Sequence, residues 1–486
     1  MHDRDEIRRI GHLVVDLIAD HLAGLPDNPV FRPFPADLAE RLVSTPAPVD
    51  GASADDILRE FRDTIEPYPF GNGHPRFWGW VNSPPSVMGV FADALAAAMN
   101  PSCAGGNHAA VHVEREVIEW FRALLGFPPS AMGLLVSGGS MATLTALGVA
   151  RHLKCGVDVR AAGLRGAPQP FRVYQTSEGH SCARKAVELL GLGHDAIRIV
   201  PAASDYRMEV SALDRAIADD VAAGMRPIAV VASAGTVNTG AIDPLGDIAD
   251  VCARHDVWLH VDAAYGGPAI LAAEYRDRLA PLARADSVAL DPHKWMFVPV
   301  EAGFVMVRDG EAMRSAYSLV PPYIRTRGSS SAVMGLPWFS EYGFQQSRAF
   351  RALKVWMTMK QFGLAGHREA VEQNIALARY LADRIREAPD LELVATGLSI
   401  VCFRYVVSDV SDVSDVSDVS DVSDVSDTIN RRLLEQLQLS GEAFLSSTEL
   451  GGRFVLRACI VNYHSTRADI DRMLDAVRSI AAGLVT

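Results

Sequence analysis

Between residues 130 and 310, short apolar runs that suit β-strands alternate with stretches of helical periodicity. The strand-like runs lie at 171–175, 227–232, 257–261, 287–290 and 303–307. This alternation predicts a largely parallel sheet with helices on both faces, because parallel strands need long, usually helical, crossover connections. Ligands of such sheets bind beyond the carboxyl ends of the strands. The chain is therefore expected to adopt an α/β fold with its site at that edge.

Three side chains that could bind a ligand or take part in catalysis stand at or just after the ends of these runs. Thr236 follows the run 227–232, Asp262 closes the run 257–261, and Lys294 follows the run 287–290. Taken singly, such a lysine more often reaches solvent and such an aspartate more often caps a helix. As a pair, the lysine can form an imine with the aldehyde of pyridoxal phosphate, while the aspartate holds a proton on the ring nitrogen.

A glycine turn follows the apolar run 133–136 and precedes a helical pattern. The turn reads Ser-Gly-Gly-Ser and includes Gly139 and Ser140. Glycines expose backbone N–H groups at a helix N-terminus, where the helix dipole also favours an anion. The turn suits a phosphate, although a turn of this kind alone is also an ordinary connection between a strand and a helix.

Together these segments resemble the group II amino acid decarboxylases, the family of aromatic amino acid, histidine and glutamate decarboxylases. The resemblance rests on Asp-Pro-His-Lys-Trp at 291–295, His-Val-Asp-Ala-Ala-Tyr at 260–265 and the glycine turn, and it covers nearly the whole chain. It implies the aspartate aminotransferase-like fold type I, with a helical N-terminal arm and a small C-terminal α/β domain. It also implies pyridoxal 5'-phosphate as cofactor and decarboxylation of an L-amino acid, with tryptophan, tyrosine, DOPA and phenylalanine favoured.

The resemblance also implies roles for residues at matching positions. Lys294 would carry the cofactor, Asp262 would face its ring nitrogen, His180 would stack on its ring, and Tyr323, on a mobile loop, would protonate the product. The residues implied to hold the cofactor are Gly139, Ser140, His180, Thr236, Asp262, Ala264, Asp291, His293 and Lys294. Some relatives carry Asn at position 291 near the phosphate, so Asp291 must be protonated, paired or turned away.

The substrate pocket is implied to include Trp78, Trp80, Val81 and Ser347. An aromatic cluster such as 74–81 is equally often part of a hydrophobic core. Relatives vary between glycine and serine at position 347, and serine often accompanies phenolic and imidazole substrates. The stretch 100–103, Asn-Pro-Ser-Cys, departs from the bulkier apolar residues of the aromatic decarboxylases and implies a wider or more polar pocket.

Several alternatives stay open at this point. Relatives that release an aldehyde typically replace the loop tyrosine or the stacked histidine, whereas Tyr323 and His180 are both present; histidine or an acidic amino acid is another possible substrate. Residues 179–183, Gly-His-Ser-Cys-Ala, nearly match the nucleophile elbow of serine hydrolases but lack its last glycine. A binding protein without catalysis would be expected to lose Lys294 or Asp262. His108 and His112 have metal-ligand spacing without the accompanying glutamate, so no metal is predicted.

The sequence suggests three parts. Residues 1–82 form a helical arm that would embrace a second subunit in a homodimer, 83–370 a large cofactor-binding domain, and 371–486 a small domain. Within the last part, a Ser-Asp-Val repeat at 408–427 carries seven aspartates at a period that fits neither helix nor strand. We expect it to be a disordered insertion, with calcium binding a less favoured alternative.

Overall composition narrows the class of protein further. A net charge of −13 makes nucleic acid an improbable partner. No run of eighteen apolar residues exists, which argues against a membrane span. The acidic start and six widely spaced cysteines without a Cys-x-x-Cys pair favour a cytoplasmic protein with reduced thiols.

Overall fold

The computed structural model describes residues 3–319, 338–406 and 422–485. The helices are α1 (Arg4–Gly24), α2 (Ala36–Ser44), α3 (Ala54–Thr64), α4 (Val87–Met99), α5 (Ala109–Leu124), α6 (Gly139–Lys154), α7 (Val159–Ala162), α8 (Cys182–Leu189), α9 (Val210–Ala222), α10 (Leu245–His255), α11 (Arg276–Leu279), α12 (Gly310–Tyr317), α13 (Arg351–Arg386), α14 (Val422–Ser440) and α15 (Arg467–Val485). The strands are β1 (Phe77–Trp78), β2 (Met132–Val136), β3 (Phe171–Thr176), β4 (Ile197–Val200), β5 (Arg226–Ser233), β6 (Trp258–Asp262), β7 (Ser287–Leu290), β8 (Gly303–Val307), β9 (Leu391–Gly397), β10 (Ile400–Tyr405), β11 (Phe444–Leu450) and β12 (Arg453–Cys459). Among these described residues, no helix is both long enough and apolar enough to cross a membrane.

The chain divides into two compact units. The large unit comprises Pro85–Ile375 and Thr396–Ile400, and the small unit comprises Met1–Pro84, Ala376–Ala395 and Val401–Thr486. This differs from the sequence-based division, which treats the N-terminal arm and the C-terminal part as separate. The N-terminal arm and the C-terminal part belong to one unit because β1 of the arm adds to the small sheet beside β11. There Phe77 and Trp78 pair with Phe444 and Leu445.

The large unit is built on a seven-stranded sheet with the order β2-β8-β7-β6-β5-β3-β4. The pairs from β7 through β6, β5 and β3 to β4 are parallel, and β8 runs antiparallel to both of its neighbours. The prediction of a largely parallel sheet is therefore confirmed. Because β5, β6 and β7 run in the same direction, their carboxyl ends, and the residues that follow them, meet at one edge.

The central strands of the large sheet are mainly apolar because helices cover both faces, whereas β3 and β4 near one edge include Arg172 and Arg198. Strands β7 and β8 are buried at every position, and α6 packs across β5, β6, β7 and β8. This burial fixes the strand ends rigidly. The polar residues that follow β5, β6 and β7 are thereby held in defined positions.

The small unit has a five-stranded sheet with the order β1-β11-β12-β10-β9. Its core combines residues of this sheet with α14, α15 and the end of α13, among them Leu381, Phe403, Leu437, Leu456 and Leu474. These side chains form one continuous cluster with Trp78. The short segment around β1 therefore contributes directly to the core of this unit.

The Ser-Asp-Val repeat lies outside the described residues up to position 421, whereas its last residues belong to α14. Asp427 forms an ion pair with Arg404 at 2.6 Å and accepts a hydrogen bond from the Phe454 backbone N–H at 3.0 Å. The hydroxyl of Ser426 also accepts a hydrogen bond from Arg404. The prediction of disorder is thus wrong for this end of the repeat, because tertiary partners on β10 and β12 order it.

Candidate active site

Lys294 lies in the turn that follows β7, and its closest charged neighbour is Asp291. The lysine Nζ lies 2.9 Å from Asp291 Oδ2, and the Lys294 backbone N–H donates to the Asp291 carbonyl at 2.9 Å. The Asp291 side chain is only 2% exposed, whereas that of Lys294 is 25% exposed. The turn thus forms a buried ion pair whose lysine end is open enough to react.

The protonation of Lys294 reflects two opposing effects. Burial lowers the pKa of Lys294, but the carboxylates of Asp291 and Asp262 outweigh it, so that the pKa is raised overall. The amine is therefore a cation at neutral pH in this state of the site. A charged amine cannot attack a carbonyl carbon, so the lysine must lose a proton before it reacts.

Asp262 ends β6 and presents its carboxylate at the same edge. Its Oδ1 accepts a hydrogen bond from the Ala264 backbone N–H at 3.1 Å, and the Cys182 thiol lies 3.9 Å from its Oδ2. Burial, reinforced by Asp262, raises the pKa of Cys182 to about 12, so the thiol is neutral and can donate weakly to the carboxylate. These contacts hold the carboxylate in one orientation.

His180 stands close to Asp262, with ligand-type atoms of His180, Cys182 and Asp262 all within 4.8 Å of one another. The Cys182 backbone N–H donates to His180 Nδ1 at 3.2 Å, which places the proton of the neutral imidazole on Nε2. Desolvation lowers the pKa of His180 more than Asp262 raises it. The ring is therefore neutral near pH 7, a state suited to packing against a flat aromatic group.

The glycine turn leads directly into α6, whose N-cap is Gly138. A Cβ on Gly139 would lie 3.0 Å from Asp291 Oδ2 and 3.1 Å from the Ala264 Cβ, and a Cβ on Gly303 would overlap the Gly138 backbone. Close approach of three chain segments therefore requires glycine here. Free N–H groups in the first turn of this sixteen-residue helix, next to the exposed Ser140, form a cradle that fits a phosphate.

Thr236 and His293 occupy the turns beside these residues. The Thr236 hydroxyl is buried, lies 3.0 Å from the Thr239 hydroxyl and accepts a hydrogen bond from the Ala241 backbone N–H at 3.1 Å. His293 Nδ1 lies 2.8 Å from the carbonyl oxygen of Ala302, and burial lowers the pKa of this imidazole. In this structure both side chains stabilise the loops that frame the site.

An aromatic stack next to the lysine and aspartate was not anticipated from the sequence. The rings of Tyr265 and Trp295 lie 5.3 Å apart and 17° from parallel. The Trp295 Nε1–H donates to Asn374 Oδ1 at 2.9 Å, and the Tyr265 hydroxyl lies 2.7 Å from the Ser399 hydroxyl. These residues stand three positions after Asp262 and directly after Lys294, so the stack ties the two functional turns together. Because Tyr265 and Trp295 belong to the sequence motifs at 260–265 and 291–295, their proximity could have been inferred from the sequence.

A second unanticipated feature is a buried polar chain beneath Asp262. His260 is fully buried, with Nε2 3.2 Å from the Thr143 hydroxyl and Nδ1 2.9 Å from the Ser287 hydroxyl. The Cys182 sulfur lies 3.8 Å from the same Thr143 hydroxyl. Since residues i and i+2 of a strand face the same side, His260 and Asp262 both point toward α6.

The expected pocket residues have mixed locations. Trp78 is completely buried in the small unit and donates its Nε1–H to the Ser465 hydroxyl at 3.0 Å, so it serves that core and not a pocket wall. Val81 is also buried, whereas Trp80 is 46% exposed and stacks on Phe70 at 5.3 Å. Ser347 is exposed on the large unit. Tyr323 lies outside the described residues.

The histidines with metal-ligand spacing have structural surroundings. His108 is the N-cap residue of α5, and His112 Nε2 lies 2.8 Å from Asn107 Oδ1. Glu114, close to them in sequence, is buried and forms a bidentate ion pair with Arg348. The side chains of Glu114 and His112 therefore both interact with neighbouring protein groups.

Comparison with known proteins identifies the family to which this chain belongs. The model of the pyridoxal-dependent decarboxylase conserved domain matches residues 35–406. The chain therefore belongs to the pyridoxal-dependent decarboxylase family and is a pyridoxal phosphate-dependent carboxy-lyase.

Individual relatives are similar over nearly their whole length. The chain is 35% identical to an aromatic-L-amino-acid decarboxylase of Bacillus atrophaeus over 98% of this chain and 96% of that protein. It is 32% identical to a tyrosine decarboxylase of Oryza sativa over 94% of this chain and 87% of the relative. A crystal structure of Oryza sativa TDC with pyridoxal phosphate and tryptamine superimposes with a TM-score of 0.89 at 28% identity, covering 100% and 99% of the two chains.

Proposed function

We propose that this enzyme removes carbon dioxide from an aromatic L-amino acid and releases the corresponding amine. The observation that carries the proposal is the joint placement of Lys294, Asp262 and the Gly139 cradle around one edge of the large sheet. Support for the aromatic class comes from relatives named for aromatic amino acids, tyrosine and tryptophan.

The side chains at this edge have complementary roles in the proposal. Lys294 carries the cofactor, the first turn of α6 around Gly139 and Ser140 holds its phosphate, and His180 packs against its ring. Asp262 keeps a proton on the ring nitrogen, because a nearby carboxylate favours the charged form of a base. The bound cofactor supplies an acceptor for the electron pair that remains when carbon dioxide departs.

Further residues frame this arrangement. Thr236, Ala264 and His293 shape the cofactor pocket, since each lies in a turn that follows β5, β6 or β7. Ser347 and Trp80, both exposed on their own units, are candidates for contact with the substrate. Tyr323 is the proposed proton donor to the product carbon.

The amine is proposed as product, although some relatives bear the name phenylacetaldehyde synthase. The reason is that Tyr323 and His180 are both present in this sequence. The test is a substrate panel of tryptophan, tyrosine, DOPA, phenylalanine, histidine and glutamate, with carbon dioxide, amine, aldehyde and peroxide all measured. Amine from aromatic substrates supports the proposal; turnover restricted to histidine or glutamate, or aldehyde as the main product, contradicts it.

A homodimer is proposed from the surface of the N-terminal helices. Ile57 and Phe61 of α3 and Ile65 just beyond it recur at four-residue spacing and are 55%, 40% and 50% exposed. A helix face of this kind normally packs against something, and an exposed apolar patch marks an interface. Two copies of the chain would cover each other's arms.

Sedimentation measurements test this arrangement. The mass obtained from sedimentation should be about twice the 52.5 kDa mass of one chain. The substitution Phe61→Glu should shift the population toward monomer. Leu189→Glu is the matched control, because Leu189 is 75% exposed on α8 of the large unit. A monomeric parent protein, or equal effects of the two substitutions, would contradict the proposal.

A further inference from the structure

Asp291 has a carboxylate whose two oxygens have different surroundings. Its Oδ2 is paired with the Lys294 amine at 2.9 Å and has His293 Nε2 at 3.9 Å. Its Oδ1 is buried and has no hydrogen-bond partner among the residues that the structure describes. A buried, unpartnered carboxylate oxygen is costly, so a group that binds at this site should complete its hydrogen bonding.

The carboxylate also borders the phosphate cradle. The Cβ position of Gly139 lies 3.0 Å from Oδ2, and the Cβ position of Gly138 lies 4.0 Å from Oδ1. A phosphate bound at the first turn of α6 would therefore be a close neighbour of Asp291. Two anions repel each other at such a distance, and the repulsion is strong where water is excluded.

The protonation state of Lys294 is also unsuited to cofactor binding. Its amine is paired with a carboxylate, and that pairing keeps it in the protonated form that cannot attack an aldehyde. One proton transfer resolves both difficulties, because it frees the amine and neutralises the carboxyl beside the phosphate.

We propose that Asp291 accepts the proton of Lys294 when the cofactor binds and then stays protonated, donating its O–H to the phosphate. In the transfer, the ammonium and the carboxylate become a neutral amine and a carboxylic acid. The amine nitrogen then forms a C=N bond with the aldehyde carbon, and the aldehyde oxygen leaves as water with the two remaining amine protons. Atoms and charge balance without any further reactant.

Other titratable groups near the amine are poorer acceptors. Asp262 contributes to the field on Lys294, but its carboxylate is bound to the Ala264 N–H and faces the Cys182 thiol. His293 lies beyond Asp291 Oδ2 and is oriented by the carbonyl of Ala302. Cys182 already carries its proton. Asp291 is thus the group positioned to take the proton.

The direct test is infrared difference spectroscopy as the apo-protein is loaded with pyridoxal phosphate. The proposal predicts that a C=O band of a protonated carboxyl group appears on loading and is absent when Asp291→Asn protein is loaded. No such band in the parent protein, or the same band in the variant, would overturn it. Asp291→Ser serves in place of Asp291→Asn if the latter fails to fold.

Two solution measurements on Asp291→Asn should change in opposite directions. Its apo-protein should bind inorganic phosphate about tenfold or more tightly at pH 8, because a negative charge next to the cradle is gone. The first-order rate of C=N formation, followed by visible absorbance after rapid mixing at pH 7, should instead fall about tenfold or more, because Asp262 still favours the charged amine and no carboxylate at hydrogen-bond distance is left to take its proton.

General damage to the fold would lower both the affinity for phosphate and the rate of C=N formation. Asp286→Asn is the control for such damage. Asp286 immediately precedes β7, at the end of that strand opposite Asp291, and binds the Leu259 backbone N–H at 2.7 Å. Its substitution should leave both measurements unchanged. An unchanged rate of C=N formation in Asp291→Asn would overturn the proposal without bearing on the substrate or the product of the enzyme.

Discussion

Removal of one charge from the buried ion pair between Glu114 and Arg348 should strongly destabilise the large unit. Both side chains are only 1% exposed, and the two guanidinium Nη atoms of Arg348 donate to the two carboxylate oxygens of Glu114. Arg348 also donates to the carbonyl oxygens of Cys103 and Leu135, each at 2.7 Å. The pair therefore ties α5 and β2 to the segment that carries Ser347.

Glu114→Gln keeps the shape of the side chain and an acceptor for the Leu135 backbone N–H, so the main loss is the negative charge. The buried guanidinium would then lack a counter-ion, which costs about 3–5 kcal/mol. Urea unfolding of the apo-protein measures this loss as a lower midpoint at an unchanged m-value.

Glu442→Gln is the matched control. Glu442 forms an ion pair with Arg472 at 2.7 Å, but the two side chains are 41% and 56% exposed, so its loss should cost less than about 1 kcal/mol. If Glu114→Gln is as mild as Glu442→Gln, the buried pair is not the determinant of stability described here.

Three other predictions address the mechanism and the stability of the enzyme. Asp262→Ala should retain cofactor through the α6 cradle but lose several orders of magnitude in turnover, as measured by amine release; near-normal turnover would contradict the role of Asp262. Tyr323→Phe should slow amine release and raise the yield of aldehyde and peroxide under air, and amine alone at the parent rate would show that another group donates the proton. His367 is fully buried, neither of its ring nitrogens has a hydrogen-bond partner within the described parts of the chain, and burial lowers its pKa to about 4. Because this folded-state pKa lies below the unfolded value of about 6.5, stability should fall as the pH drops from about 6.5 to 4. His367→Leu should reduce that fall and raise the urea midpoint at pH 7 through loss of an unsatisfied polar group; an unchanged pH dependence would count against this account.

The strand ends and the positions of the polar residues that follow them could be predicted from the sequence because they depend on local patterns. Apolar runs marked β5, β6 and β7, and the parallel order of the strands then placed Thr236, Asp262 and Lys294 at one edge. The sequence left open whether Asp291 is protonated, paired or turned away, and the structure pairs it with Lys294, three positions later in the same turn.

Features that depend on partners distant in sequence could not be predicted in this way. Arg348 and Glu114 lie 234 positions apart, and no local pattern relates them. Trp78 looked like a pocket residue, but its burial depends on the pairing of β1 with β11, more than 360 positions away. The ordered end of the aspartate repeat likewise depends on Arg404, which neutralises Asp427.

The central claim is that Lys294 holds the cofactor at the edge of the large sheet. Borohydride reduction of the loaded enzyme, followed by proteolysis and mass spectrometry, tests it most directly. The account predicts a pyridoxyl group on the peptide that contains Lys294, and no labelling of that peptide in Lys294→Ala. A pyridoxyl group on any other lysine of the parent enzyme would contradict it.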